Sequence, residues 1–223
     1  MLFARPIEAV LFDMDGLLVD TESVYRDAVA AEAAARGHPM PLSLLLQIPG
    51  LPEQACDELA QAHFGQTVNI SDYSIGVTRR VMESIKAGVA LKEGVIELLN
   101  LLDERELPRA IVTSSSHKTV EAYLGSTGIL PRFNAVIACE DYGRGKPHPD
   151  PFLRAAEALA KDPARCLVLE DSYNGIRAAH AAGMIAIMVP DLLDPTDEMR
   201  ELCHAVAKSL HIVRNMLRES AAQ

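Results

Sequence analysis

Five short apolar runs divide the chain, and none of them alternates with polar residues. The runs are Ile7–Phe12, Ala110–Thr113, Ala135–Cys139, Cys166–Leu169 and Ile185–Val189. Nearly continuous apolar runs of this length are typical of strands that are covered on both faces of a sheet. The pattern therefore predicts five buried strands.

Helical periodicity separates most of these predicted strands. The spacing of apolar residues predicts helices over Gly94–Glu106, His117–Thr127, Pro151–Ala160 and Ile176–Ala182. Gly183 follows the last of these, where a left-handed glycine commonly ends a helix. Strands that alternate with helices indicate an α/β fold with a doubly wound parallel sheet.

The segment between the first two predicted strands is much longer than one crossover connection needs. Thr21–Arg36 is predicted to be a helix, with Thr21 as its N-cap and Gly37 at its end. Further helical patterns cover Leu42–Gln47, Glu53–Phe64 and Tyr73–Ala87. The segment is therefore predicted to be a helical insert.

Two domains follow from this division. We expect a helical cap domain at residues 18–86, lying above the strand ends. The core domain is then made of residues 1–17 and 87–223. No internal repeat or low-complexity tract suggests a further division.

The composition is that of a soluble globular protein, with 49% hydrophobic and 23% charged residues in a chain of 223. A net charge of -10 disfavours non-specific binding to nucleic acid or to an anionic membrane. No apolar run is long enough for a membrane helix, and the first residues lack the features of a signal peptide. We therefore expect a cytoplasmic protein, with a monomer as the default.

The cysteines are expected to be reduced and buried: Cys56, Cys139, Cys166 and Cys203.

The first predicted strand ends in two aspartates, Asp13 and Asp15. Side chains two residues apart on an extended chain point the same way, so both carboxylates can face one pocket. Two like charges this close cost free energy unless a cation lies between them. The pair therefore points to a metal ion, and Mg²⁺ would suit hard oxygen ligands that converge from two strands.

The next three strand ends supply hydroxyl groups, a lysine and a second acid pair. Residues 113–116 follow the second strand, Lys146 lies in the loop after the third, and Glu170 with Asp171 ends the fourth. The carboxyl ends of parallel strands line the ligand crevice of an open α/β sheet. Each feature alone is more typical of a turn, a helix cap or a solvated loop. Their combination at four successive strand ends indicates a site that binds a phosphoryl group.

Four segments resemble the signature motifs of the haloacid dehalogenase superfamily in order and spacing. They are DMDGLLVDTE, the TSSS after the second strand, GKPHPDPF and LEDSYNGI. The similarity covers nearly the whole chain, and the insert resembles the cap of the subgroup that holds sugar-phosphate phosphatases and β-phosphoglucomutase. The resemblance implies a Rossmann-like core with a helical cap. It also implies a Mg²⁺-dependent phosphatase that hydrolyses a small phosphorylated metabolite, such as a sugar phosphate.

The resemblance assigns roles to the four acidic residues. Asp13 would be the nucleophile that forms an aspartyl phosphate, and Asp15 would act as general acid and then as general base. Asp13, Asp171 and the backbone carbonyl of Asp15 would hold Mg²⁺, with Glu170 in or near its ligand shell.

The same resemblance assigns the phosphate-binding residues. Ser114 would bind the transferring phosphate, helped by the backbone of Ser115. Lys146 would bridge the phosphate and Asp13, and Gly16 would allow the sharp turn beneath the site.

Two other chemistries of the superfamily fit less well. Its dehalogenases lack the second aspartate of the first motif, so Asp15 argues for phosphate chemistry. Its phosphonate-cleaving members use a cap lysine, but no lysine occurs before Lys86. That route would need Lys86 or Lys92 to reach the site.

A phosphomutase remains the alternative function. β-Phosphoglucomutase carries a cap histidine where an ungapped count places Tyr25, and an arginine three residues after a cap glycine. Here Gly50 is followed at that distance by Glu53, and both departures disfavour a mutase, because a bisphosphate intermediate needs a cationic partner on the cap. The cap arginines Arg26, Arg79 and Arg80 stay open as substrate contacts.

A phosphate-sensing receiver domain is a third possibility, disfavoured because receivers lack a large insert after the first strand.

Overall fold

The structure is a computed structural model that describes Phe3, residues 5–48 and residues 53–220. The chain forms two compact units, one of Met1–Val19 with Ala90–Gln223 and one of Asp20–Val89. We call them the core unit and the cap unit. The domain limits predicted from the sequence fall two residues before the first division and three before the second.

The core unit is built on one six-stranded parallel sheet in the order β3-β2-β1-β4-β5-β6. The strands are β1 (Ala9–Phe12), β2 (Arg109–Val112), β3 (Ala135–Ile137), β4 (Cys166–Glu170), β5 (Ile185–Met188) and β6 (Ala205–Val206). The predicted fold class is confirmed. The sixth strand was not predicted, because two residues are too few to give a pattern.

Helices make up the cap unit and flank the sheet of the core unit. Those of the cap unit are α1 (Thr21–Ala35), α2 (Leu42–Leu45), α3 (Glu53–Phe64) and α4 (Ile70–Ala87). Those of the core unit are α5 (Val95–Glu104), α6 (His117–Leu124), α7 (Asp150–Ala158), α8 (Tyr173–Ala181), α9 (Asp197–Leu202) and α10 (Leu210–Ser220). Helices α7 and α8 contact the strands, and α5 packs against α10.

The strands are buried on both faces, as their continuous apolar runs predict. Ala9 and Leu11 of β1 point into a core cluster that also contains Phe152 of α7 and Ile176 of α8. The alternate residues of β1 are equally buried, since Phe12 is 0% exposed. Burial on both faces explains why β1 carries no polar residue before its carboxyl end.

Helix ends follow the predicted signals, with one correction. The N-cap of α1 is Asp20, whose side chain accepts a hydrogen bond from the Ser23 N–H at 3.3 Å, so the prediction of Thr21 as the cap is wrong by one residue. Gly37 and Gly183 follow their helices with φ of +80° and +72°, in the left-handed region that glycine adopts without strain.

Helices α1 and α4 of the cap unit meet around the carboxylate of Glu32, which is 4% exposed. Arg36 donates to it at 2.9 Å and Arg80 at 2.7 Å. The hydrogen bond from Arg80, helped by Arg36 and opposed by burial, lowers the pKa of Glu32. Gly76 is needed opposite this group, because a Cβ there would lie 2.2 Å from the Glu32 Oε1.

None of the described helices is both long and apolar enough to cross a membrane. All four cysteines belong to the described part of the chain, and no disulfide joins them. Cys56, Cys166 and Cys203 are buried as predicted, but Cys139 is exposed. That prediction was wrong because β3 ends at Ile137, which leaves Cys139 at the start of a short 3₁₀ helix beyond the strand.

Candidate active site

The ends of β1 and β4 lie side by side at the centre of the sheet, where the strand order reverses. A ligand crevice is expected at this topological switch point in an open α/β sheet. The Asp13 N–H donates to the Leu169 carbonyl at 3.0 Å and so extends the β1–β4 ladder by one residue. The carboxylates that follow each strand, Asp13 after β1 and Asp171 after β4, are therefore brought to the same edge.

Lys146 is the hub of the site. Its Nζ donates to the Asp13 Oδ1 at 2.5 Å, to the Glu170 Oε1 at 2.6 Å and to the Val112 carbonyl at 3.0 Å. The lysine side chain is only 5% exposed. Burial alone would lower the pKa of Lys146, but Asp13 and Glu170 outweigh it and hold this pKa above its usual value.

Glu170 is fully buried and both of its oxygens are in use. Oε1 accepts from Lys146, while Oε2 accepts from the N–H and the hydroxyl of Ser172, each at 2.8 Å. Gly175 of α8 packs against this carboxylate so closely that a Cβ would lie 1.8 Å from Oε1. Glu170 therefore orients Lys146 and ties the β4 end to the start of α8. It could bind a metal ion only by giving up one of these bonds.

Asp171 lies close enough to Asp13 for their charges to interact, and it receives no hydrogen bond from any described residue. Gly16, with φ of +77°, approaches it closely, since a Cβ on Gly16 would lie 2.4 Å from the Asp171 Oδ2 and 3.3 Å from the Asp191 Oδ2. Any other residue at position 16 would thus face both backbone strain and a clash. Gly16 makes the turn that the sequence predicted, and its lack of a side chain leaves room for these oxygens.

Asp15 is joined to the loop after β2. The Ser115 hydroxyl donates to the Asp15 Oδ2 at 3.1 Å, and the Ser115 N–H donates to the Thr113 hydroxyl at 3.0 Å. Ser114 is exposed at the end of β2, beside Tyr142, whose hydroxyl donates to the Thr113 carbonyl at 3.0 Å. In this loop Ser114 is therefore exposed to solvent, whereas the side chain of Ser115 is hydrogen-bonded to Asp15.

The side chains predicted to hold Mg²⁺ do not form a closed cage. Across Phe3, residues 5–48 and residues 53–220, no three His, Cys, Asp or Glu side chains form a group that could hold a metal ion. Asp13 and Asp171 remain as candidate ligands, together with the Asp15 carbonyl. A set this small suits Mg²⁺, which is usually held by one or two carboxylates and keeps several waters.

The electrostatics of the two aspartates also fit a cation. Burial is the main cause that raises the pKa of Asp13, with further increases from Glu170 and Asp15 and an opposing effect of Lys146. Burial likewise raises the pKa of Asp171, followed by the charges of Asp13 and Glu170. A nearby divalent cation would stabilise the charged forms of both carboxylates and offset these shifts.

The cap residues considered from the sequence are engaged within the cap unit. Tyr25 lines a small cavity there, Arg26 contacts Asp27 at 3.3 Å, and Arg80 is bound to Glu32. Arg79 also lies 4.0 Å from the Glu32 carboxylate. Gly50 lies outside the described residues, so the departure from the mutase pattern at Gly50 and Glu53 stays a prediction.

Sequence reasoning missed Tyr142 and Asp191 near the site, and it did not foresee the contact that Lys92 makes. Asp191 comes shortly after β5, so extending the strand-end argument to the fifth strand would have pointed to it. Lys92 was considered only as an imine-forming residue, whereas its Nζ donates to the Asp191 Oδ1 at 2.5 Å. Tyr142 had no signal, because its role depends on how the loop after β3 folds back.

Comparison with known proteins identifies the family of the chain. The model of the haloacid dehalogenase-like hydrolase family matches residues 7–183. Protein CbbY of Rhodobacter capsulatus is 33% identical over 194 residues, covering 82% of this chain and 86% of that protein. The fructose-1-phosphate phosphatase YqaB of Escherichia coli is 30% identical over 184 residues, covering 81% and 95%.

A solved structure shares the fold as well. A haloacid dehalogenase family hydrolase of Deinococcus radiodurans, with bound phosphate and sodium, superposes with a TM-score of 0.79 at 28% identity and covers 97% of both chains. The chain described here belongs to the haloacid dehalogenase-like hydrolases. The predicted enzyme class, phosphoric monoester hydrolase, is confirmed by that family and by the phosphatases among its relatives.

Proposed function

We propose that this protein is a Mg²⁺-dependent phosphatase of a small phosphorylated metabolite, with a sugar phosphate as the preferred substrate class. The observation that carries the proposal is the buried lysine between two strand ends, Lys146, with Asp13 on one side and Glu170 on the other. A relative that acts on fructose 1-phosphate supports the substrate class. A monomeric, cytoplasmic state without nucleic-acid partners stays a prediction.

In the proposed first step, a carboxylate oxygen of Asp13 attacks phosphorus and the bond from phosphorus to the leaving oxygen breaks. Asp15 gives its proton to that oxygen, so the alcohol leaves neutral. In the second step Asp15 takes a proton from water, the water oxygen attacks the aspartyl phosphate, and inorganic phosphate leaves. Asp13 is regenerated, so that one difficult displacement is divided into two.

The remaining residues of the site have supporting roles in this proposal. Lys146 neutralises charge on Asp13 and on the phosphoryl oxygens, and the hydroxyl of the exposed Ser114 binds one of those oxygens. The Ser115 hydroxyl, 3.1 Å from the Asp15 carboxylate, keeps Asp15 oriented as the acid–base group. The backbone N–H of Ser115 already donates to the Thr113 hydroxyl. The hydrogen-bonding role implied for the Ser115 backbone would therefore require this loop to rearrange.

Asp13 and Asp171, with the Asp15 carbonyl, would hold the Mg²⁺. When bound there, the ion would supply positive charge to the phosphoryl oxygens and polarise the phosphorus for attack. Glu170 is assigned outside the ligand shell, because its two oxygens already bind Lys146 and Ser172.

Phosphatase is preferred over phosphomutase because a mutase must hold a second phosphate on its cap. Arg80, among the cap arginines, is bound to the buried Glu32 at 2.7 Å, and Arg26 contacts Asp27. Supplying Arg80 to a phosphate would break its ion pair with the buried Glu32, which leaves the more exposed Arg26 and Arg79 as the cap arginines that a mutase would have to use. The sequence departures from the mutase pattern at Tyr25 and Glu53 disfavour that function as well. Incubation with β-glucose 1-phosphate and a bisphosphate primer separates the two functions, since a mutase yields glucose 6-phosphate with little free phosphate.

The direct test is Asp13→Asn assayed on an aryl phosphate with Mg²⁺, followed by a panel of sugar phosphates for phosphate release. We expect turnover to fall by at least about 10³-fold, as is typical when a catalytic nucleophile is removed. Asp194→Asn, an equal charge change at an exposed position of the core unit, should retain full activity. Full activity of Asp13→Asn, or undiminished turnover in EDTA, would overturn the proposal.

A further inference from the structure

One side-chain oxygen of Asp191 lacks the hydrogen-bond partner that a buried oxygen normally has. Its Oδ2 is buried and, within the described residues, is the one buried side-chain nitrogen or oxygen without a hydrogen-bond partner. Buried polar atoms are nearly always paired, and an exception commonly marks an absent water or ion. Asp191 lies just beyond β5, outside the four motifs from which the active site was predicted.

The other oxygen of Asp191 is held firmly. Lys92 donates to Oδ1 at 2.5 Å, and the two side chains are 27% and 13% exposed. Lys92 is itself anchored, because its backbone N–H donates to the Leu18 carbonyl at 3.0 Å, next to the turn that contains Gly16. The pair therefore fixes which way the second oxygen of Asp191 points.

The unpartnered oxygen lies near Asp171, one of the candidate Mg²⁺ ligands. The position that a Cβ of Gly16 would occupy is 2.4 Å from the Asp171 Oδ2 and 3.3 Å from the Asp191 Oδ2, so both oxygens border the same small space. The charge of Asp191 also contributes to raising the pKa of Asp171. Two carboxylates that converge without a donor between them require a positive or hydrogen-bonding group nearby.

We propose that Asp191, oriented by Lys92, is a positioning residue of the Mg²⁺ site that acts from outside the ligand shell as an acceptor for the hydrated ion. This inference rests on the proposed function, because it needs Mg²⁺ at Asp13 and Asp171. Partners outside the shell of a metal orient its ligands, and their loss commonly costs 10–100-fold in metal affinity or activity. Asp191 would accept hydrogen bonds from water molecules bound to the ion, and would thereby orient the waters that the carboxylate ligands do not contact.

The test measures Mg²⁺ binding by calorimetry on the full chain without substrate, so that its readout is independent of turnover. Asp191→Asn should weaken Mg²⁺ binding by about 10–100-fold. Asp194→Asn, which makes the same charge change at an exposed position on the same loop, should leave the affinity unchanged. Circular dichroism and the melting temperature, measured without Mg²⁺, report whether each variant is folded.

Lys92 provides a second pair of variants. By charge alone, Lys92→Met would strengthen Mg²⁺ binding, because it removes a positive charge. The proposal predicts weaker binding, since Asp191 loses the partner that orients it, and recovery of affinity in Lys92→Arg. These variants keep the proposal testable if Asp191→Asn does not fold.

The outcomes distinguish failure of the proposed function from failure of the role assigned to Asp191. Wild-type protein that binds no Mg²⁺ would overturn the proposed function together with this inference. Wild-type protein that binds Mg²⁺ while Asp191→Asn and Lys92→Met bind it equally well would overturn this inference alone. In that case a lower melting temperature in both variants would identify the pair as a structural tie between the α5 loop and the β5 end.

Discussion

Replacing Lys146 with methionine removes the cation at the centre of the site and keeps most of the buried aliphatic volume. The substitution deletes three hydrogen bonds, to Asp13, Glu170 and the Val112 carbonyl. It leaves two carboxylates whose side chains are 11% and 0% exposed. Neither can recover its hydration fully, so the protein should lose both stability and activity.

The size of the stability loss follows from this burial. Removing one partner of a buried ion pair costs about 3–5 kcal/mol in free energy of unfolding. For a chain of this length each kcal/mol shifts the melting temperature by about 2–4 °C, so we expect a decrease of about 6–20 °C. Turnover should fall by about 10²–10³-fold, the usual effect of losing one group that stabilises developing charge.

Scanning calorimetry and an aryl phosphate assay measure the two effects, with the exposed Lys208→Met as the matched control. The double variant Lys146→Met with Glu170→Gln isolates the cause. It removes one orphaned charge and retains an acceptor for Ser172, so much of the stability should return while activity stays low. A melting temperature for Lys146→Met within about 2 °C of wild type, or no recovery in the double variant, would refute the ion-pair argument.

Two further substitutions test contacts away from the lysine. Gly175→Ala places a Cβ 1.8 Å from the fully buried Glu170 Oε1, so despite the helix preference of alanine it should lose at least about 1–3 kcal/mol in chemical denaturation. Gly143→Ala, with nothing within 4 Å, should be nearly neutral. Glu32→Gln should lose about 1–3 kcal/mol at pH 7. Because the hydrogen bond from Arg80 lowers the pKa of Glu32, wild type should keep this advantage above about pH 4.3 and lose it as the pH falls further; a difference independent of pH would contradict this.

Much of the core fold was predictable from the sequence, because strands buried on both faces leave an unmistakable apolar run. β4 was predicted at Cys166–Leu169 and is found at Cys166–Glu170. Element ends were less predictable. The N-cap of α1 is Asp20 because its carboxylate reaches the Ser23 N–H, a detail that depends on local geometry. Short elements such as β6 exist only through pairing with β5, which no local pattern encodes.

The residues that gather at the site could be predicted from the sequence, but the contacts that each of them makes could not. Asp13, Lys146 and Glu170 could be foreseen as neighbours, because parallel strands carry their ends to one edge. That both Glu170 oxygens are used by Lys146 and Ser172 could not be foreseen, since this depends on how α8 packs against β4. Asp191 could have been found by extending the strand-end argument to β5, but the direction of its unpartnered oxygen depends on tertiary packing and could not be foreseen.

The outermost strands of the sheet are also its shortest. β3 has three residues and β6 has two, so each border offers only a brief stretch of open backbone donors and acceptors. An invading strand from another polypeptide would gain few ladder hydrogen bonds at either border. The apolar central strands, which would be the most hazardous templates for fibril growth, are thereby shielded by neighbours too small to recruit a partner themselves.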